Sequence, residues 1–181
     1  DPLDQVICSG DFSQIIDFTG SVPGTAYNWI NNTAAIGLAS SGTGDIAPFL
    51  AINNTNAPHV ATLVVQAAYT NMNTTCLGNT EQMTITVNPR PNVEPIVDQV
   101  VCHNENVLPV QFSGAVPGTI YNWLNSETSI GLAAGGVGNI PGFVGLNPGA
   151  SPVVANVDVT PSFTNAGLTC NGTTETFTIT V

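Results

Sequence analysis

The 181 residues carry 12 acidic side chains against a single Lys or Arg, for a formal net charge of −11. That balance excludes a phosphate-gripping surface, so nucleic acid is not an expected partner, and it disfavours anionic membrane surfaces. No apolar run of about 18 residues offers a spanning helix, so direct membrane insertion is not expected either.

From the N-terminus, apolar–polar alternation predicts strands near 4–8, 13–18, 25–30, 46–52, 59–70 and 81–87. Val22-Pro23-Gly24 reads as a turn. The strand after it carries Tyr27 and Trp29 on one face by the period of two. Ile36-Gly37-Leu38-Ala39 hints at a helical turn, but its glycines favour a loop. The last strand sorts Met83, Ile85 and Val87 to one face and Gln82, Thr84 and Thr86 to the other, the signature of an antiparallel strand with one wet face. Asn88-Pro89-Arg90-Pro91-Asn92-Val93-Glu94-Pro95 follows, and its prolines predict a short, semi-rigid connection.

The same elements then come again. Cys8, Val22-Pro23-Gly24-Thr25, Tyr27-Asn28-Trp29, Ile36-Gly37-Leu38-Ala39, Cys76 and Thr84-Ile85-Thr86-Val87 recur, without a gap, 94 residues later. Their copies are Cys102, Val116-Pro117-Gly118-Thr119, Tyr121-Asn122-Trp123, Ile130-Gly131-Leu132-Ala133, Cys170 and Thr178-Ile179-Thr180-Val181. Roughly 37 of the 83 paired positions from Gln5 to Val87 are identical. The duplication predicts two domains, 1–88 and 96–181, joined by a linker at 89–95. It also predicts that the chain is a piece of a longer array. Asn156 and Asp158 stand where the first copy has Thr62 and Val64, so Ala61, Leu63 and Val65 are expected inside, with Ala155, Val157 and Val159. Six or seven strands per repeat, with a Trp on an early central strand, predict an all-β chain of two tandem immunoglobulin-like antiparallel β-sandwiches.

Four cysteines allow three pairings. A module copied along a chain is expected to close its own bridge, which favours Cys8–Cys76 and Cys102–Cys170. Each would close a loop of about 69 residues and stabilise its domain by a few kcal/mol. Disulfides imply an oxidising, extracytoplasmic compartment. With no Lys, a Lys–Asn isopeptide lock is excluded, and the disulfide would take that part.

Catalytic chemistry finds no support. His59 aligns with Val153 and His103 with Ser9, so neither is repeated, and no nucleophile elbow, zinc-protease or phosphate-loop motif is present. No enzyme and no cofactor are expected. Acids recur at Asp4/Asp98, Asp11/Glu105 and Glu81/Glu175. Were Cys8 joined to Cys76, Asp11 and Glu81 would lie near one bridge and could share a Ca²⁺. Two carboxylates make a thin ligand set, so solvated loop acids are the expected reading of Asp11, Glu81, Glu105 and Glu175, with no metal. Tyr27/Trp29 and Tyr121/Trp123 could stack on a sugar, but a strand Trp beside a turn is expected in the core. Asn31, Asn53, Asn73 and Asn171 sit in N-x-[ST] sequons, which arise readily in an Asn- and Thr-rich chain.

With VPGTxYNWxN, IGLAxxGxG, Cys-x-Gly and the closing TITV placed, both copies resemble the PKD-like, immunoglobulin-like repeats of giant cell-surface adhesins of gliding and other Bacteroidota. The resemblance covers nearly the whole chain. It implies non-enzymatic spacer repeats of a surface filament, exported by a type IX system, associated with the outer membrane and used in gliding motility and attachment. It implies neighbouring repeats of the same chain as partners, with polysaccharide or solid surfaces beyond them. The second reading is a glycan-binding module repeated for avidity.

Overall fold

The computed structural model describes residues 3–181. Two compact units divide them: the residues up to Pro89 with Asn165–Leu168, and Arg90–Thr164 with Thr169–Val181.

The first unit is built on a five-stranded sheet of β1 (Gln5–Cys8), β2 (Ala26–Asn31), β3 (Ser41–Thr43), β4 (His59–Asn71) and β5 (Thr74–Asn88), in the order β1-β5-β4-β2-β3. All neighbours are antiparallel except the edge strand β1, which runs parallel to β5, with Gln5 opposite Ile85 and Cys8 opposite Asn88. β5 starts seven residues before the alternation predicts. Residues 74–80 have no apolar period and pair with β4 because the turn holds them there. Met72 and Asn73 both take positive φ, 46° and 62°, the two-residue hairpin geometry that matches strand twist.

A thinner layer covers the inner face. The strands expected at 13–18 and 46–52 reduce to isolated antiparallel bridges, Phe12 opposite Leu50 and Ile16 opposite Ile46. Pro48, which has no N–H to give, interrupts the second of these segments. Ile16, Ile36, Leu38 and Ile46 close over Trp29, Ala61, Leu63, Val65, Met83, Ile85 and Val87, all in one buried cluster. The stretch read as a loop contains a 3₁₀ turn, Ala34–Ile36, ended by Gly37 at φ 94°. Gly37 is a left-handed cap here, and a methyl group on it would collide with Leu50 O.

The second unit repeats this plan with β6 (Gln99–Val100), β8 (Ile120–Asn125), β9 (Gly135–Val137), β11 (Val154–Asn165) and β13 (Glu175–Thr180), in the order β6-β13-β11-β8-β9, and β12 (Leu168–Asn171) pairs with β11. Its covering layer is slightly better formed, since β7 (Asn106–Val107) and β10 (Phe143–Val144) pair, and Val110 bridges Ile140. Val110, Trp123, Ile130, Leu132, Ile140, Val157, Phe177 and Ile179 make the equivalent core. The proline-rich segment is the start of this unit: Pro91 is buried, and Val93 and Ile96 pack on its core. Each unit is thus an immunoglobulin-like β-sandwich, with one extended sheet and one abbreviated layer.

Candidate functional site

The aromatic pairs divide between core and flank. Trp29 and Trp123 are 7% and 6% exposed. Each ring lies against a glycine of the neighbouring strand, and a methyl group on Gly42 or Gly136 would overlap it. Trp29 Nε1 donates to Gly44 O at 3.1 Å, whereas buried Trp123 Nε1 has no partner among the described residues. Tyr27 and Tyr121 are half-buried and tilt against Phe18 and Phe112 at centroid distances of 5.8 and 5.7 Å. No flat tryptophan platform is available for a sugar.

The cysteines correct the expected pairing. Cys8 and Cys170 are disulfide-bonded and buried, while Cys76 and Cys102 are free and exposed. Strand length forbids the bridges Cys8–Cys76 and Cys102–Cys170. Cys8 sits opposite Asn88, and Cys76 lies twelve residues back along β5, opposite Tyr69. At about 3.3 Å per residue that is about 40 Å, where a disulfide needs Cα atoms within about 7 Å. In the second unit Val101 N–H bonds Thr180 O at 3.0 Å, near Cys102, and Thr180 pairs with Val154. Cys170 follows Thr169, whose hydroxyl meets that of Thr164 at 2.8 Å, ten residues along β11 from Val154.

The recurring acids are dispersed. Asp11 N–H bonds Cys8 O at 3.0 Å, near Asn88, whereas Glu81 sits opposite Val65, seven residues back along β5. Glu105 Oε2 accepts the Cys102 N–H at 2.9 Å, and Glu175 lies five residues along β13 from Thr180. Among the described residues no three His, Cys, Asp or Glu side chains gather as a metal site. Asp4 and Asp98 are edge ties: their Oδ1 atoms accept the N–H groups of Thr84 at 2.7 Å and Thr178 at 2.6 Å. His103 Nδ1 accepts the Asn147 N–H at 2.9 Å, and His59 is half-buried on β4.

Two asparagine pairs act as plugs: Asn31, Asn53 and Asn125 are buried and Asn147 is half-buried. Asn31 Nδ2 donates to Thr33 O, Leu38 O and Ala39 O, and its Oδ1 accepts Thr33 N–H. Asn125 repeats this on Glu127, Leu132 and Ala133. Asn53 Nδ2 ties Ala57 O and Val87 O at 2.8 and 2.7 Å, and Asn147 ties Ser151 O and Val181 O at 2.9 and 2.7 Å. One carboxamide thus answers several backbone carbonyls, most of them in loops, and those of Asn53 and Asn147 tie their loops to the end of the last strand at Val87 and Val181. The signal available in the sequence was their recurrence at the 94-residue offset.

What remains open to solvent is the outer face of each large sheet. In the first unit it presents Asn28, Ile30, Val60, Thr62, Gln66 and Gln82, with Ile30 60% and Val60 50% exposed. In the second it presents Leu124, Val154, Asn156, Asp158 and Thr176, with Leu124 69% exposed. Hydroxyls, amides and aliphatic patches on a pleated face can hydrogen-bond a neutral polyol and cover its apolar faces. They offer no cation to an anion.

No protein-family model matches the chain, and no curated protein matches it. Among solved structures, the chain is similar to the N-terminal Ig1-2 module of the Drosophila receptor protein tyrosine phosphatase DLAR, at 13% identity, over 99% of this chain and 96% of that chain, with a TM-score of 0.30. The tandem Ig repeats of Dlar match at 13% identity, over 98% and 94%, with a TM-score of 0.28. The class stands on the molecule's own strand order, covering layer and core Trp: two tandem immunoglobulin-like β-sandwich modules.

Proposed function

We propose that these modules are structural spacer repeats of an extracellular filament, an adhesin of the PKD-like, immunoglobulin-like kind found in giant cell-surface proteins of gliding Bacteroidota, among which SprB is the best-known example. In this reading the unit of assembly is a repeat of 1–88 or 96–181 with its linker at 89–95. The filament is exported by a type IX system, associates with the outer membrane, and serves gliding and attachment. One observation supports it above the others: the identities between the repeats fall on groups that make the fold. They include the core tryptophans, the Asn31/Asn125 and Asn53/Asn147 plugs, the Gly37/Gly131 caps and the Asp4/Asp98 ties. A module that keeps its scaffold through duplication suits extension.

The outer faces, which carry amides, hydroxyls and aliphatic groups and no cation, favour a second reading, in which each repeat binds neutral polysaccharide weakly and the array gains avidity. Two measurements separate the readings. Grafting two, four or six repeats between a cell anchor and a reporter binding domain should lengthen the reporter's reach with copy number, and unchanged reach defeats the spacer reading. Saturable binding of the 181-residue chain to one polysaccharide or surface in a panel, weakened by Thr84→Arg with Thr62→Arg and abolished when Thr178→Arg with Asn156→Arg is added, would establish the second reading instead.

A further inference from the structure

In the second unit, the segment Arg90–Ile96 lies along the flank that carries Phe112 and Tyr121. Asn92 Oδ1 accepts the Ala115 N–H at 2.8 Å, Glu94 N–H donates to Ser113 O at 2.9 Å, and Arg90 Nη1 donates to Asn171 O at 2.8 Å. Two glycines let the segment in. A methyl group on Gly114 would collide with Asn92 O, and one on Gly172 with Pro91 O. Burial, then the Glu94 carboxylate, holds the Tyr121 phenol above its ordinary value, as expected of a ring covered by this segment.

The first unit builds the same flank. Phe18 and Tyr27 repeat the ring pair, and Gly20 and Gly78 repeat the two glycines. Among the described residues nothing covers it. A cavity of about 140 Å³ opens there instead, lined by Asp17, Phe18, Thr19, Tyr27, Ala67 and Glu81 among others. Thr19 O and Ser21 N–H, counterparts of the Ser113 and Ala115 groups, have no hydrogen-bond partner among the described residues. A methyl group on Gly78 would press on Ala67 Cβ at 3.3 Å, a tight contact but not the outright overlap with backbone that Gly172 avoids in the second unit.

We propose that this flank of the first unit is a docking groove for a proline-rich segment of the Pro-Arg-Pro-Asn-Val-Glu type, supplied by the linker of a preceding repeat. The source of the segment rests on the array reading; the groove does not. The docked Asn carboxamide takes the Ser21 N–H, the Glu backbone N–H two residues on takes Thr19 O, and a proline carbonyl settles against Gly78. Asp17 and Glu81 give the groove a negative charge that suits the segment's Arg. Asp17 stands where the already covered flank has Gln111.

The test adds Asn-Pro-Arg-Pro-Asn-Val-Glu, a copy of residues 88–94, directly before Asp1, which places it in the register of the second unit. Amide hydrogen exchange by NMR on the extended chain should show the Ser21 N–H slowed at least about tenfold against the 181-residue chain, with shifts at Phe18 and Tyr27. An extension with its prolines replaced by Ser and its Asn residues by Ala should give neither effect. Gly78→Ala should abolish the protection in the extended chain while the first unit stays folded, its Leu63 and Ile85 amides keeping their protection. Unchanged Ser21 exchange on the native-sequence extension, or equal protection from the replaced one, overturns the groove. A groove that accepts the extension stands even if the grafting experiment removes the spacer reading.

Discussion

Trp29→Phe and Trp123→Phe are the same substitution in two copies of one core, and the structure gives them different outcomes. Both rings are buried against a glycine, and both shrink by about 40 Å³, which at about 24 cal/mol per Å³ of cavity costs about 1 kcal/mol. The indole N–H separates them. Trp29 Nε1 donates to Gly44 O at 3.1 Å, so its removal forfeits a further 0.5–1.5 kcal/mol or so. Trp123 Nε1 is buried without a partner among the described residues, and its removal relieves a desolvation cost of about 1–3 kcal/mol. Trp29→Phe should therefore destabilise the first unit by about 1.5–2.5 kcal/mol, and Trp123→Phe should be neutral or stabilising in the second by up to about 2 kcal/mol. Each mutation removes the only Trp of its unit, so fluorescence is the wrong readout. Native-state hydrogen exchange at the core amides of Leu63 and Ile85, and of Val157 and Ile179, reports each unit separately. Equal losses of protection in the two units would refute the hydrogen-bond argument and leave only ring volume.

Three further outcomes are expected. A thiol reagent applied to the native chain without reductant should modify Cys76 and Cys102 alone, and mass spectrometry showing Cys8 or Cys170 labelled would contradict their bonded state. Asn53→Ala removes the Nδ2 bonds to Ala57 O and Val87 O and the Oδ1 bonds from Thr55, and should cost about 1–3 kcal/mol by chemical denaturation, whereas Asn73→Ala, at an exposed hairpin turn, should stay within about 1 kcal/mol. Glu127, whose carboxylate accepts the Ser129 N–H at 3.0 Å, is held below its ordinary value by that bond, so its contribution is present above the ordinary Glu range and is lost as pH falls through the lowered value. An NMR titration with Glu127 at or above the ordinary value would remove that contribution.

Local alternation carried most of the fold. Met83, Ile85 and Val87 and their copies announced which face of the last strand was dry, and the duplicate settled the ambiguous run from His59 to Val65. Both depend on the period of two, which any stretch of sequence displays by itself. The cysteines depend on something else. A bridge needs two Cα atoms within about 7 Å, and that distance is set by how far β4 and β5 run before the chain turns at Met72 and Asn73. Duplication predicts Cys8 beside Cys76, and twelve residues of extended strand separate them. Asn31 and Asn53 are of the same kind. Their sequon context is visible, but the carbonyls they satisfy come from loops and from Val87 at the end of β5, which only the packed sandwich brings together. The covering layer was legible as apolar segments but not as bridges, because Pro48 limits the ladder without erasing the burial of Ile16 and Ile46. Periodicity thus determined which residues face inward, since that is a property of each strand alone. Tertiary structure decided which groups meet, since that depends on strand length, register and the approach of segments distant in the chain.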